Sequence, residues 1–290
     1  MSIPLNSECL LCHLRRHEET ARKLGDDKTA TAFTRALMQL LLDVPEETSS
    51  PELVPMEARL FQKFYGLDLD RFRQEKLESN RYVLSRLPQI RSRVDAADDP
   101  LYAALQFAIL GNYIDFSALQ GRISYEQLDE MLDKAAEMDV QLQQYHALLQ
   151  ALADGKKLLY LTDNAGEIGF DRIFGEQIQK AFPHLQITFC VRGAPAHNDA
   201  TREDAAQIGI PFSLIDNGND VGGTDLKQLS PEAKKAMDEA DVIIAKGQGN
   251  IETLYGCGYN VYYAFLVKCE RFVNLFGKPL MTPMLVRERK

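Results

Sequence analysis

Lys157-Leu-Leu-Tyr-Leu-Thr-Asp163-Asn-Ala-Gly-Glu167 is the stretch whose reading decides the fold. Its first half is a short continuous apolar run, the pattern of a strand buried on both faces. Its second half interrupts that run with an acid, an amide and a glycine, then leads into an amphipathic segment from Glu167 to Phe182. Downstream the texture repeats. Gln186–Val191, Pro211–Ile215 and Asp241–Ala245 read as strands, and Pro231–Glu239 as another crossover helix. Val261–Val267 fits a strand or a helix, and Met284–Val286 fits an edge strand. Buried strands alternating with helices predict an α/β fold with a mostly parallel sheet covered on both faces.

Upstream of that stretch the pattern is helical. Leu37, Leu40, Leu41 and Val44 recur at helical spacing, as do Leu60, Phe64 and Leu67, and Leu128, Met131, Leu132 and Ala135. Breaks are expected at Gly25, between Asp43 and Pro51, at Leu87-Pro, at Asp98-Asp-Pro and at Gly111-Asn, with Thr48–Pro55 as a short linker. The chain therefore divides into a helical region, 1–153, and an α/β region, 154–290, that carries the site.

Composition narrows the function. The 290 residues are 45% hydrophobic and 26% charged, enough to build a large core. No apolar run approaches the ~18 residues of a membrane span, so no membrane partner is expected. A formal net charge of -9 argues against general nucleic-acid binding, which needs a basic face. The first residues carry neither a basic nor an apolar targeting stretch, so the expected location is cytoplasmic. Five scattered cysteines make no disulfide framework.

Ligands of such sheets bind beyond the carboxyl ends of the strands. The first strand ends in Asp163-Asn164, hard oxygen donors suited to Mg²⁺ or Mn²⁺, directly before a helix N-terminus that favours anions. A cap for that helix is the plainer reading of the same pair. After the second strand, Asp199 is placed to bring another carboxylate to the same crevice; capping by Asp199 or Thr201 is the alternative. The fourth strand runs into Lys246-Gly-Gln-Gly249-Asn250, where glycines admit a phosphate to the backbone and the lysine offers charge. Two carboxylates ~5 Å apart repel by roughly 3 kcal/mol at an effective dielectric of ~20, so Asp163 and Asp199 call for a cation. Asn112 and Asp115, at i and i+3, share a face that either looks into the cleft or simply ends a helix.

These segments, Asp163-Asn-Ala-Gly-Glu-Ile-Gly-Phe-Asp171, Asn198-Asp-Ala-Thr-Arg-Glu-Asp204 and Lys246-Gly-Gln-Gly-Asn-Ile-Glu-Thr253, resemble in order the metal-dependent damage-control phosphatases. That family is also described as acidic residue methyltransferase-like and was formerly a domain of unknown function. Gly111-Asn-Tyr-Ile-Asp115 and Cys9-Leu-Leu-Cys12 extend the resemblance over nearly the whole chain, in a branch with an N-terminal C-x-x-C. It implies a three-layer, Rossmann-like sheet with an N-terminal all-helical region, and hydrolysis of small phosphorylated metabolites with Mg²⁺, Mn²⁺, Co²⁺ or Ni²⁺. Candidate substrates are sugar phosphates, phosphopantetheine derivatives and damaged metabolites. By matching position it implies Asp163, Asn164 and Asp199 as metal ligands, and Asn112, Lys246, Gly249, Asn250 and Lys268 as substrate contacts. Gly169 stands where the family has a branched aliphatic residue, a change expected to affect helix packing more than ligation. The expected reaction is in-line displacement at phosphorus, either by a metal-activated water with Asp115 or Glu167 as base or by Asp163 itself.

Cys9-Leu-Leu-Cys12-His13 also matches the C-x-x-C-H haem pattern, which is read as a coincidence because no export is expected. Cys9, Cys12, His13 and His17 share one helical face, a possible second metal or redox site. One helix cannot surround a tetrahedral ion, so Cys190, Cys257, Cys269 or His197 would have to complete it. Two rival functions follow. An S-adenosylmethionine-dependent carboxyl methyltransferase would want a glycine-rich first turn and an acid after the second strand, where this chain has Asp163-Asn164 and Arg192. A non-catalytic redox or metal-binding protein would use Cys9 and Cys12. Oligomeric state is not encoded in any of these features.

Overall fold

The structure is a computed structural model that describes residues 2–113 and 125–288. Helix α1 (Ser7–Leu24) begins at Asn6 and α2 (Asp27–Asp43) at Asp26, and each cap side chain accepts a backbone N–H three residues on. Helix α3 (Ser50–Tyr65) opens on a Ser49/Glu52 capping box and closes at Gly66. The expected Thr48–Pro55 linker is thus mostly helix. Pro51 occupies the first turn, where a missing N–H costs nothing. Pro55 lies inside α3, and the Pro51 carbonyl that it cannot reach is satisfied by the Gly222 N–H at 3.3 Å.

The Leu87-Pro break is also absent, because α4 (Arg73–Asp95) runs straight through Pro88. Val83, Leu87, Ile90 and Val94 are buried along one face of α4, so packing outweighs the lost hydrogen bond. Helix α5 (Pro100–Gly111) starts on the Asp99 cap and is buried almost all round. Helices α6 (Tyr125–Asp133) and α7 (Leu142–Asp154) complete the upstream half, separated by a 3-10 turn at Ala135–Glu137.

The sheet comprises β1 (Lys157–Leu161), β2 (Gln186–Val191), β3 (Ser213–Asp216), β4 (Val242–Lys246), β5 (Val261–Leu266) and β6 (Pro283–Arg287). Their order is β3-β2-β1-β4-β5-β6, parallel except for β6, which pairs antiparallel with β5. Between the strands lie α8 (Glu167–Ala181), α9 (Arg202–Ile208), α10 (Pro231–Glu239), α11 (Gly247–Leu254) and α12 (Glu270–Phe276). The expected α/β architecture is present, and the ambiguous Val261–Val267 segment is strand.

Successive side chains divide the core into two layers. Leu158, Tyr160, Ile244 and Tyr262 face α4, α5, α7 and α8, whereas Leu159, Leu161, Ile243 and Tyr263 face α10, α11 and α12. Each fully buried large apolar side chain contributes about 1.5–3 kcal/mol. Gly169 sets the α4–α8 approach: a Cβ there would lie 2.6 Å from Val83 Cγ1. A third core, built on Ala21, Ala30, Phe33, Leu37 and Phe61, holds α1, α2 and α3 together.

Strand order reverses between β1 and β4, which makes the crevice beyond their carboxyl ends the switch point of the sheet. Asp163 and Gly247 flank it.

Candidate active site

Neither Asp163 nor Asn164 caps α8. The cap position is Gly166, at φ 76° and without a side-chain cap bond, so both side chains are left for other work. An isolated antiparallel bridge sets Asn164 against Asp199, fixed by Ala200 N–H to Asp163 O (2.7 Å) and Ala165 N–H to Asn198 O (2.9 Å). Thr201 and Asp204 form the capping box of α9, which releases Asp199 from capping. The backbone thus brings Asp163, Asn164 and Asp199 together from two strand ends.

Two amides organise the acids. Asn112, the C-cap of α5, donates to Asp163 Oδ2 (2.9 Å) and Glu167 Oε2 (3.0 Å), and Asn164 donates to the same two oxygens at 2.8 and 2.7 Å. Arg192 pairs with the second acid, its Nε 2.6 Å from Asp199 Oδ2. Its Nη2 is buried 3.7 Å from Asp163 Oδ1 without a hydrogen-bond partner among the described residues. Burial, with Glu167 and Asp199 close by, holds the Asp163 carboxyl well above its ordinary range.

Lys246 is fully buried and faces the protein. Its Nζ donates to Ala108 O (2.7 Å), Glu167 Oε1 (2.7 Å) and Asp171 Oδ1 (2.8 Å), and Tyr160 adds a bond to Asp171 Oδ1 (2.8 Å). All three ammonium protons are committed, so Lys246 has none left for a substrate phosphate in this arrangement. Asn250 is likewise buried, donating to Thr162 O (3.0 Å) and Lys246 O (2.7 Å) and accepting from Thr224 Oγ1 (2.7 Å). It ties β1 to β4. Gly247, at φ 75°, is forced by the same crowding, since a Cβ there would fall 1.9 Å from Asp163 Oδ2.

A cavity of about 450 Å³ opens on this floor, between the strand ends and α1 and α3. Asp163, Asn164, Asp199, Gly249 and Lys268 line its lower wall, and Cys9, Cys12, His13, Arg16 and Ser50 its upper wall. The lysine on the cavity wall is therefore Lys268, while Lys246, Asn250, Asn112 and Glu167 stand behind the floor. Asp115 lies outside the described residues. All five cysteines are free thiols, and Cys269 lines the same cavity as Cys9 and Cys12, whereas Cys190 is buried elsewhere.

The donor set suits a hard divalent cation. Asp163, Asn164 and Asp199 offer oxygen, the amide nitrogen of Asn164 is spent on the acids, and the cost that burial and the neighbouring acids place on ionised Asp163 is one that a cation relieves.

The damage-control phosphatase ARMT1-like domain matches residues 5–282. The chain belongs to that family. A damage-control phosphatase of Archaeoglobus fulgidus is 30% identical over 277 residues, covering 93% of this chain and 94% of that one. Damage-control phosphatase PH1575 of Pyrococcus horikoshii is 34% identical over 267 residues, 90% of each chain. Uncharacterized protein MJ0202 of Methanocaldococcus jannaschii is 32% identical over 287 residues, 95% of this chain and 93% of that one. The crystal structure of a DUF89 family protein from Pyrococcus horikoshii superposes with a TM-score of 0.83 at 27% identity and 99% coverage of both chains. In this damage-control phosphatase family member, no helix among the described residues is long and apolar enough to cross a membrane.

Sequence reasoning missed three contributors to the site. Arg192 was noted only as a strand end, although a basic residue closing β2 seven positions before an acid is the available signal. Asp171 is one helical turn from Glu167 on the same face of α8, which the i, i+4 spacing encodes. Ser50 has no sequence signal, because its place on the cavity wall depends on how α3 docks.

Proposed function

We propose that the protein is a divalent-metal-dependent phosphatase that hydrolyses phosphate monoesters of small metabolites, with Asp163, Asn164 and Asp199 as the metal ligands. The single observation that carries this reading is the meeting of those three residues on the floor of a cavity that also presents Lys268. The names of its relatives, damage-control phosphatases, agree with it. A cavity of about 450 Å³ accommodates a substrate of sugar-phosphate or phosphopantetheine-like size rather than a macromolecule.

When bound, Mg²⁺, Mn²⁺, Co²⁺ or Ni²⁺ supplies Lewis acidity and neutralises phosphoryl charge. The chain does the rest. Asn112 and Asn164 hold Asp163 by Oδ2, which leaves Oδ1 as its ligand atom. Lys268, and the first turn of α11 at Gly249, take the remaining phosphate charge from the cavity wall. Glu167 acts from behind the floor, because both of its oxygens are engaged by Lys246, Asn112 and Asn164. In this reading Asp115 keeps the role of general base. The methyltransferase rival loses ground on the same geometry: the residue closing β2 is Arg192, bound to Asp199, where a ribose-binding acid would be needed.

The test is hydrolysis of p-nitrophenyl phosphate and a panel of sugar phosphates by chelator-treated protein, with each metal restored singly and Asp163→Asn alongside. Activity returning with metal and absent from the variant is expected. Near-normal turnover by Asp163→Asn would overturn the ligand assignment, and inactivity on the whole panel with every metal would overturn the phosphatase reading.

A further inference from the structure

One other group of ligand-type side chains is gathered among the described residues: His13 and His17 on α1 with Glu57 on α3, all buried, their ligand atoms within 4.8 Å of one another. We propose that this is a second metal site, for a transition ion such as Zn²⁺, Co²⁺ or Ni²⁺, separate from the Asp163 floor and independent of the phosphatase reading.

Three observations support it. Two imidazoles at i and i+4 on one helix, joined by a carboxylate from a neighbouring helix, form a standard chelating arrangement for such ions. His13 already has the outer contact that a ligating histidine uses, since its Nε2 lies 2.7 Å from Ser50 Oγ while its Nδ1 faces Glu57 Oε1 at 2.6 Å. His17 Nε2 and Glu57 Oε2 are 2.8 Å apart in the interior yet lack hydrogen-bond alignment, so two buried polar atoms are left without a proper partner.

Tetrahedral ligands at ~2.0–2.1 Å sit about 3.4 Å from one another, so the His13–Glu57 and His17–Glu57 contacts need to open by less than ~1 Å, and the histidine nitrogens, within 4.8 Å of each other, need to close by at most ~1.4 Å. Arg16 and Arg71 lie within Coulombic range of this cluster and oppose added positive charge. Affinity must then come from nitrogen coordination, which selects Zn²⁺, Co²⁺ or Ni²⁺ over Mg²⁺. The partner that completes the helix-α1 face is therefore Glu57, in place of the cysteines and His197 considered from sequence. An ion there ties α1 to α3 and fixes Ser50 on the cavity wall.

The experiment is Co²⁺ titration of chelator-treated protein in an Asp163→Asn background, read by visible d–d absorption and by thermal melting. The expected result is one bound equivalent, a raised Tm, no competition from millimolar Mg²⁺, and affinity weakened about 100-fold or more by a further His17→Gln or Glu57→Gln substitution. Cys9→Ser and Cys12→Ser leave the spectrum unchanged. Three results each overturn the proposal: no Co²⁺ or Zn²⁺ bound in the Asp163→Asn protein, binding unaffected by both His17→Gln and Glu57→Gln, or a thiolate charge-transfer band that disappears with Cys9→Ser. Should the His17 and Glu57 variants fail to fold, X-ray absorption of the Co²⁺-loaded Asp163→Asn protein decides, with a nitrogen and oxygen shell expected and a sulfur shell fatal.

Discussion

Lys246 Nζ lies 2.7 Å from Glu167 Oε1, where β4 ends and α8 begins, and neither side chain has any solvent exposure. Asp171 shares the same ammonium at 2.8 Å. Lys246→Ala strands two buried acids, and the expected loss is about 3–5 kcal/mol of stability by urea unfolding. Lys268→Ala, on the cavity wall, should cost less stability than Lys246→Ala and raise KM for phosphate esters. The opposite pattern would return Lys246 to the substrate.

Arg192 supplies a different kind of support. It is a buried counter-charge of Asp199 and stands beside Asp163, so Arg192→Met removes positive charge from both acids. Destabilisation of roughly 3 kcal/mol is expected in chelator. If the floor holds a divalent ion, Mn²⁺ should recover more stability in this variant than in wild type, and equal recovery in the two proteins would argue against ion binding there.

Gly247 is the position where a single methyl group matters. Gly247→Ala places a Cβ 1.9 Å from Asp163 Oδ2 and adds strain at φ 75°, so Asp163 must move off Asn112 and Asn164. Turnover should fall far more than for Gly258→Ala, which shares a left-handed backbone with open space around it. Comparing kcat and Tm for the two variants separates the collision from the backbone cost common to both.

Glu252, on the cavity wall, is pushed up to about 7 by burial, against the pull of Arg271 and Arg16. A raised acid contributes stability that is complete below its unfolded value of ~4.3 and is lost as pH rises through about 7. Glu252→Gln should therefore match wild type near pH 4.5 and be more stable at pH 8, by an amount on the order of 2 kcal/mol. Equal unfolding midpoints at both pH values would contradict this environment for Glu252.

The fold was largely legible because β1, β2 and β4 are apolar runs bounded by polar turns, and their ends fall within a residue or two of the sequence reading. The Val261–Val267 stretch was ambiguous for a physical reason: every residue of β5 is buried, so the alternation that marks a half-exposed strand is missing. Pro55 and Pro88 misled, since only the docked structure provides the Gly222 N–H or the packing of Val83 and Leu87 that keeps those helices whole. In the site, the strand-end motifs marked Asp163, Asn164 and Asp199. The sequence did not tell which lysine meets solvent, because the burial of Lys246 depends on Glu167 and Asp171, 79 and 75 residues away. His13 and His17 stood out as a helical pair, yet Glu57 is 44 residues from His13 and is brought to it by the packing of α1 against α3.

The apolar layer shared by α4, α5, α7, α8 and the strands has a consequence for how the molecule unfolds. Residue 154 marks a change of sequence texture, and among the described residues this packed layer runs across it. A chain severed after Asp154 would expose Leu158, Tyr160, Ile244 and Tyr262 on one piece and the inner faces of α4 and α5 on the other. Both fragments should aggregate when expressed separately and recover solubility only when co-expressed, because the layer that each needs is carried by the other.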